Sequence, residues 1–170
     1  MQQMQQMQKM QQMQIKVKFK KLIPEANAPQ YATDGSGAFD IVATSVTHIA
    51  RNVREYGTGL AFEIPEGYGM FILSRSGQGF KHQVRLVNSV GLIDSDYRGE
   101  VKVQLIADFT GSADLIGSTD LDNTKGFKVG DKIAQAVILP LPNVEFEESQ
   151  ELSETERGTG GFGSTDKGTA

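Results

Sequence analysis

The chain has 170 residues, with 17 Lys and Arg against 21 Asp and Glu for a net charge of −4, no Cys, no Trp and two His. That length suits one domain with its own core, and the missing Cys excludes disulfides, zinc ribbons, iron–sulfur centres and thiol catalysis. His48 and His82 are too few for a three-histidine zinc site and read as structural or surface residues, so any metal is expected to be a hard cation held by oxygens. The acidic balance, with no Lys/Arg-rich tail, predicts no nucleic-acid partner.

Residues 1–14, MQQMQQMQKMQQMQ, repeat Met every third residue, a period that drifts round a helix instead of holding one face. The segment reads as a low-complexity disordered leader or cloning remnant, with a helical partner-binding segment as the alternative. It lacks the continuous apolar run of a signal peptide. No stretch elsewhere approaches the roughly 18 apolar residues of a membrane span, so the expectation is a cytoplasmic protein with no membrane partner.

From Ile15 the pattern is β. Ile15, Val17 and Phe19 alternate with Lys16, Lys18 and Lys20, the period of a half-buried strand whose lysines face water and protect an edge. Further strands are predicted at 39–46, 59–65, 68–75, 84–93, 101–107, 132–141 and 144–147, separated by Gly, Pro, Asn and Asp. No run of 12 or more residues keeps a helical period. The spacing predicts an all-β sandwich or barrel over 15–147.

Three segments stand outside that pattern. Residues 107–127, rich in Gly, Ser, Asp and Asn, read as a long surface loop or insertion. Residues 145–156 carry six Glu and no basic residue, a solvated linker by charge density. From Glu148 the chain reads as an acidic linker leading into a Gly-rich C-terminal arm, RGTGGFGSTDKGTA. Gly158, Gly160 and Gly163 form a formal GxGxxG, but a dinucleotide fingerprint must open a helix inside a βαβ unit, and too little chain follows. What remains is Arg157, glycine backbone, Phe162 and the hydroxyls of Ser164 and Thr165, a set suited to a phosphate and a flat ring.

Other groups capable of chemistry lie inside the domain. SRSGQG at 74–79 puts Arg75, Ser76 and Gly77 at a turn after a strand. In NSVGLIDSDYRGEV at 88–101, Asp94 and Asp96 lie two apart. An extended chain would hold both carboxylates on one side, poising one as a base; the competing reading makes DSDYRG a simple hairpin tip. Asn88 and Tyr97 add an amide and a ring. In GDKIAQ at 130–135, Gln135 is a polar side chain in an apolar run that needs a core partner or a ligand.

Taken in order, ATDGSGAFDIVA, SRSGQG, NSVGLIDSDYRGEV, GDKIAQ and RGTGGFGST give a sequence that closely resembles the homotrimeric dUTPase family from about Ile15 to Thr165. The resemblance implies a distorted jelly-roll-like β-barrel, a homotrimer with exchanged C-terminal arms, and Mg²⁺-dependent hydrolysis of dUTP to dUMP and pyrophosphate. That activity limits uracil incorporation into DNA and supplies dUMP for thymidylate synthesis. On the matching positions, Asp94 is the base for the attacking water and Tyr97 packs on deoxyribose. Asn88, with the backbone around Gly91 and Ile93, reads uracil. Arg75, Ser76, Gly77 and Gln135 serve the phosphate chain. Asp40 holds Mg²⁺ through water while the triphosphate binds the metal directly, and Arg157, Phe162, Gly163, Ser164 and Thr165 form the closing arm. Phosphoryl transfer asks chiefly for positioning and charge neutralisation, so neither Cys nor His is required.

Two departures concern loop rigidity: Ser74 stands where the family usually has Pro, and Gly37-Ala38 reverses the usual order. The long loop is not explained by the family's activity and is expected to be a partner-binding or regulatory surface, with decoration as the alternative. The competing functions are a dCTP deaminase-like enzyme of the same superfamily and a nucleotide-binding regulatory protein without turnover. The complete Gly-rich arm and Asp94 argue against each in turn.

Overall fold

The computed structural model describes residues 15–50, 52–107 and 127–161. The Met/Gln leader, nearly all of the long loop, and Phe162, Gly163, Ser164 and Thr165 of the arm lie outside these described residues. Among the described residues, eleven strands and one short helix follow in order: β1 (Lys18–Lys21), β2 (Gln30–Tyr31), β3 (Phe39–Val42), β4 (Ser45–Ala50), β5 (Val53–Gly57), β6 (Leu60–Glu63), β7 (Tyr68–Leu73), α1 (Ser76–His82), β8 (Val84–Leu86), β9 (Val90–Ile93), β10 (Lys102–Ala107) and β11 (Lys132–Pro140). They form a five-stranded sheet ordered β2-β3-β11-β7-β9, a four-stranded sheet ordered β4-β5-β10-β8 and a two-stranded β1-β6 ribbon. Every pairing is antiparallel. The expected all-β architecture stands.

The inward faces meet in a core built from alternate residues: Phe39 and Ile41 of β3, Met70 and Ile72 of β7, Val103 and Leu105 of β10, with Tyr56, Ile133 and Ala136. Period-2 alternation sets this choice, because each strand offers every second side chain to one side. Two polar groups are buried with it, Thr58 and Gln78. The Thr58 hydroxyl donates to the Val101 carbonyl at 2.7 Å and accepts the Leu60 N–H at 3.2 Å, which settles its burial cost.

Several expected elements differ. The run 84–93 is two strands, because Ser89 takes a left-handed φ of 63° and the chain passes from the four-stranded sheet into the five-stranded one. Residues 144–147 form no strand; β11 ends at Pro140 and the chain beyond is exposed. Strand β5 escaped the sequence reading, since Arg54 and Glu55 interrupt its apolar pattern. The SRSGQG turn opens into α1, too short to show a helical period.

Gly59 links β5 to β6 at a φ of +64°, and a Cβ there would lie 2.7 Å from Cγ1 of Ile23. Gly59→Ala combines left-handed strain with a steric clash, and is expected to cost about 2 kcal/mol. A thermal melt that does not move would contradict this account of the turn.

Candidate active site

The five-stranded sheet gathers three sequence-distant segments at one end. Gln135 on β11 stands opposite Asp40 of β3 on one side and Leu73 of β7 on the other. Its amide donates to the Ser74 carbonyl at 3.1 Å, which answers the need for a partner. Asp40 lies between two cations: Oδ1 is 3.1 Å from Arg75 Nε and Oδ2 is 2.6 Å from Lys132 Nζ. Arg75 Nη1 and Gln78 Nε2 both donate to the Lys132 carbonyl, at 3.2 and 2.9 Å. Arg75 and Gln135 therefore sit in one bonded cluster at the start of the 74–77 turn. Ser76 and Gly77 are exposed beside it, and a Cβ at Gly77 would meet nothing within 4 Å.

Lys132 and Gln78 were not singled out in the sequence. Lys132 lay inside GDKIAQ, but only the β3–β11 register shows that it shares Asp40 with Arg75. Ser74 also proves to hold the turn: its hydroxyl accepts the Leu86 N–H at 3.0 Å, fixing a loop that the family usually stiffens with Pro.

A second feature lies where the two larger sheets part. Among the described residues, strand β9 is an edge strand paired only with β7, and β8 covers β10 only from Leu105 to Ala107. The facing edges of β9 and of β10 around Lys102 and Val103 are thus unpaired with each other. The DSDYRG turn is present, but β9 and β10 belong to different sheets and leave an open cleft between them. One cavity of about 310 Å³ reaches Asn88, Gly91 and Val103, and another of about 460 Å³ opens past Ile93 to Asp94 and Tyr97. Unpaired strand edges present N–H and C=O groups that can bond the edge of a flat heterocycle.

Asp94 and Asp96 do not lie in an extended segment; DSDY forms a turn, as the competing reading has it. The Tyr97 N–H donates to the Asp94 carbonyl at 3.2 Å, closing a turn that removes the extended geometry the paired-carboxylate reading needs. Arg98 Nη1 staples the turn through the carbonyls of Ser95 and Tyr97, at 2.6 and 3.0 Å. The Tyr97 hydroxyl donates to the Glu100 carbonyl at 3.0 Å, and a Cβ at Gly99 would come within 2.6 Å of the ring's Cζ. Gly99 thus lets the ring fold over at the mouth. Asp94 is exposed there and carries no ion pair among the described residues.

The cleft wall holds one more unpredicted group. Gln104 and Lys102 donate to Glu55 at 3.0 and 3.2 Å, and these bonds hold its carboxyl below the usual range. A carboxyl lowered on folding stabilises the fold above its unfolded pKa. That contribution disappears as the pH falls through the lowered value.

The two features are far apart within one chain. Met70 faces Ile93 across the β7–β9 ladder, so Asp94 lies level with Gly69, six residues from Arg75. At about 3.3 Å per residue this places the carboxylate roughly 20 Å from the cation cluster. Arg157 is in neither place. It closes a local turn in the tail, with Nε donating to the Gly160 carbonyl at 2.8 Å.

Asp40 also bears on metal binding. Both its oxygens are engaged by cations, and no cluster of three His, Cys, Asp or Glu forms a metal site among the described residues. This donor set does not fit a metal caged by protein. It is compatible with a hydrated ion, since Mg²⁺ keeps several waters and needs few carboxylates.

Solved structures place this barrel in the dUTPase fold. The dUTPase of Staphylococcus bacteriophage 80alpha, solved as a mutant with dUpNHpp, superposes with a TM-score of 0.71 at 26% identity, covering 88% of this chain and 98% of that one. A dUTPase mutant from phage phi11 of S. aureus, in which coordination of a structural Mg(II) ion was resolved, gives a TM-score of 0.68 at 24% identity, covering 82% of this chain and 100% of that one. The deoxyuridine 5'-triphosphate nucleotidohydrolase of Nautilia profundicola is 45% identical over 154 residues, covering 90% of this chain and 100% of that protein. The protein of the same name in Helicobacter pylori strain 26695 is 41% identical, covering 89% and 97%. The dUTPase family model matches residues 24–166. The chain belongs to the dUTPase family.

Proposed function

We propose that the chain hydrolyses dUTP to dUMP and pyrophosphate, limiting uracil in DNA and supplying dUMP for thymidylate synthesis. The carrying observation is the cleft between the unpaired edges of β9 and β10, with a free carboxylate and a ring at its mouth. Uracil enters edge-on between Asn88, Gly91 and Ile93 on one side and the β10 backbone on the other. Tyr97 packs on the deoxyribose, which sets the α-phosphate near Asp94. The Asp94 carboxylate takes a proton from a water whose oxygen attacks the α-phosphorus, and the bond from the α-phosphorus to the α–β bridging oxygen breaks to release pyrophosphate. Asp40 would hold Mg²⁺ through water, and the ion, when bound, would supply charge neutralisation for the triphosphate. Arg75, Ser76, Gly77 and Gln135 orient the phosphate chain; Arg157, Phe162, Gly163, Ser164 and Thr165 close over it.

One chain cannot do this alone. A triphosphate leaving the cleft at Asp94 points away from the Arg75 cluster of the same chain, roughly 20 Å off. That cluster lies instead on the outer face of the five-stranded sheet, together with Leu73, Phe71, Val137 and Leu139. Val90 and Leu92 continue the same face and are about half exposed. Leu92 and Leu141 close over Gly69. An apolar sheet face of this kind needs a cover. A second copy seated on it, in a closed homotrimer, brings its Asp94 to this chain's cations.

The test is pyrophosphate release from dUTP, dCTP, dTTP and UTP with and without Mg²⁺, with ammonia assayed in parallel. Release from dUTP that depends on Mg²⁺ is expected. Ammonia from dCTP would instead establish the deaminase reading, and binding without turnover the regulatory one.

A further inference from the structure

We propose that Gln78 is a positioning residue for the phosphate chain, its buried amide tying the 74–77 turn to β11 and fixing where the Arg75 guanidinium stands. This rests on the reading above, in which Arg75 orients the phosphates of dUTP. Among the described residues the buried polar side chains are Thr58 and Gln78, each 1% exposed. Thr58 is satisfied inside the core, whereas Gln78 directs its bonds to the candidate site. Its Oε1 accepts the Arg75 N–H at 3.4 Å and its Nε2 donates to the Lys132 carbonyl at 2.9 Å. The Gln78 N–H in turn donates to the Arg75 carbonyl at 3.0 Å. Both backbone polar groups of Arg75 are thus bonded to one residue that water does not reach.

The bonds close a ring around Asp40. Lys132 offers its carbonyl where the register of β11 on β3 shifts, between Lys132 and Ala134, a place where a ladder is locally disrupted. The same carbonyl accepts Arg75 Nη1 at 3.2 Å, Arg75 Nε lies 3.1 Å from Asp40 Oδ1, and Asp40 Oδ2 lies 2.6 Å from Lys132 Nζ. Arg75 is therefore held at its backbone, at Nε and at Nη1. Its Nη2 has no partner among the described residues, and the side chain is 33% exposed. A guanidinium so held meets a phosphate oxygen with one end of its fork free and little freedom left to lose. Without the Gln78 amide, Asp40 and the Lys132 carbonyl still bond the guanidinium, but the backbone that carries it is released. The loss falls on phosphate affinity and spares the uracil cleft, whose walls are β9 and β10.

Gln78→Met keeps the length and packing of the side chain and removes both amide bonds. The affinity gained from the outer phosphates is read as the ratio of the dUMP to the dUpNHpp dissociation constant, by calorimetric titration. That ratio should fall about tenfold, with dUMP affinity within about twofold of the parent's, because dUMP lacks the phosphates that Arg75 orients. A role in packing alone would lower the melting temperature and leave the ratio unmoved. Arg75→Met should also lose the gain, and adding Gln78→Met to it should change the ratio no further, since Gln78 acts through Arg75. Gln78→Glu keeps an acceptor for the Arg75 N–H but sets an oxygen against the Lys132 carbonyl; it should lose the gain too, and serves if Gln78→Met does not assemble. An unchanged ratio in these Gln78 variants, or a full further loss in the double variant, would overturn the positioning role. dUTP turnover of the parent is measured alongside. A parent that binds dUpNHpp more tightly than dUMP and responds to Gln78→Met, but does not hydrolyse dUTP, supports the inference and defeats the proposed activity.

Discussion

Asp94→Asn lowers kcat for dUTP by at least ~10²-fold while leaving nucleotide affinity nearly unchanged, the range expected when a positioned base is lost. The amide fills the same space and can still bond a water, but it cannot take the proton that the nucleophile must lose. Geometry favours a selective loss. The backbone turn that presents residue 94 is closed by the Tyr97 N–H and stapled by Arg98, and neither contact uses the Asp94 side chain. Folding and base recognition should survive the substitution. Single-turnover pyrophosphate release measures the chemical step, and titration with dUpNHpp measures binding. A variant that turns over at the parent's rate would remove Asp94 from the mechanism; one that loses rate and affinity together would make it a binding residue.

Much of this arrangement was legible along the chain, and the parts that were not share a cause. Strands β3, β7, β10 and β11 showed because their apolar residues alternate or run together locally. Strand β5 did not, because Arg54 and Glu55 are paid for by partners found only after folding; Glu55 bonds Lys102 and Gln104 some fifty residues on. The break at Ser89 depends on one residue's φ, which composition does not record. Asp40 and Gln135 were recognisable as motif residues, yet their adjacency is a matter of strand register, and Lys132 could be placed only through it. Likewise, alternation in an isolated dipeptide repeat says nothing about whether the chain is extended. Asp94 and Asp96 fitted the period-2 rule, and a turn removed its premise. The segment 144–147 has strand alternation but no ladder among the described residues, because alternation alone does not supply a neighbouring strand.

The separation of Asp94 from the Arg75 cluster makes the strongest demand on assembly. Two inactive variants should restore one another: Asp94→Asn, with its cation cluster intact, and a cluster variant such as Gln135→Leu with Arg75→Met, with its Asp94 intact. If each site joins the carboxylate of one copy to the cations of the next, an intact site needs the cluster variant as carboxylate donor and Asp94→Asn as cation donor. Random exchange at equal amounts forms that pair at about one interface in four. Mixing after mild dissociation should therefore recover roughly a quarter of the parent's dUTP turnover, a rise of more than tenfold over either variant alone. Sites formed within one chain predict no recovery at any ratio, because every chain in the mixture lacks one half of its machinery. The ratio dependence sharpens the result. With random assembly, recovery follows the product of the two mole fractions and peaks at equal amounts, whereas contamination by parent protein would rise in proportion to whichever preparation carried it. Gel filtration of each variant alone must show the parent's size, since Arg75 and Gln135 lie beside the apolar sheet face on which the proposed second copy would sit. Should the cluster variant fail to assemble, Gln135→Leu alone keeps the Asp40–Arg75 pair and serves as the same partner.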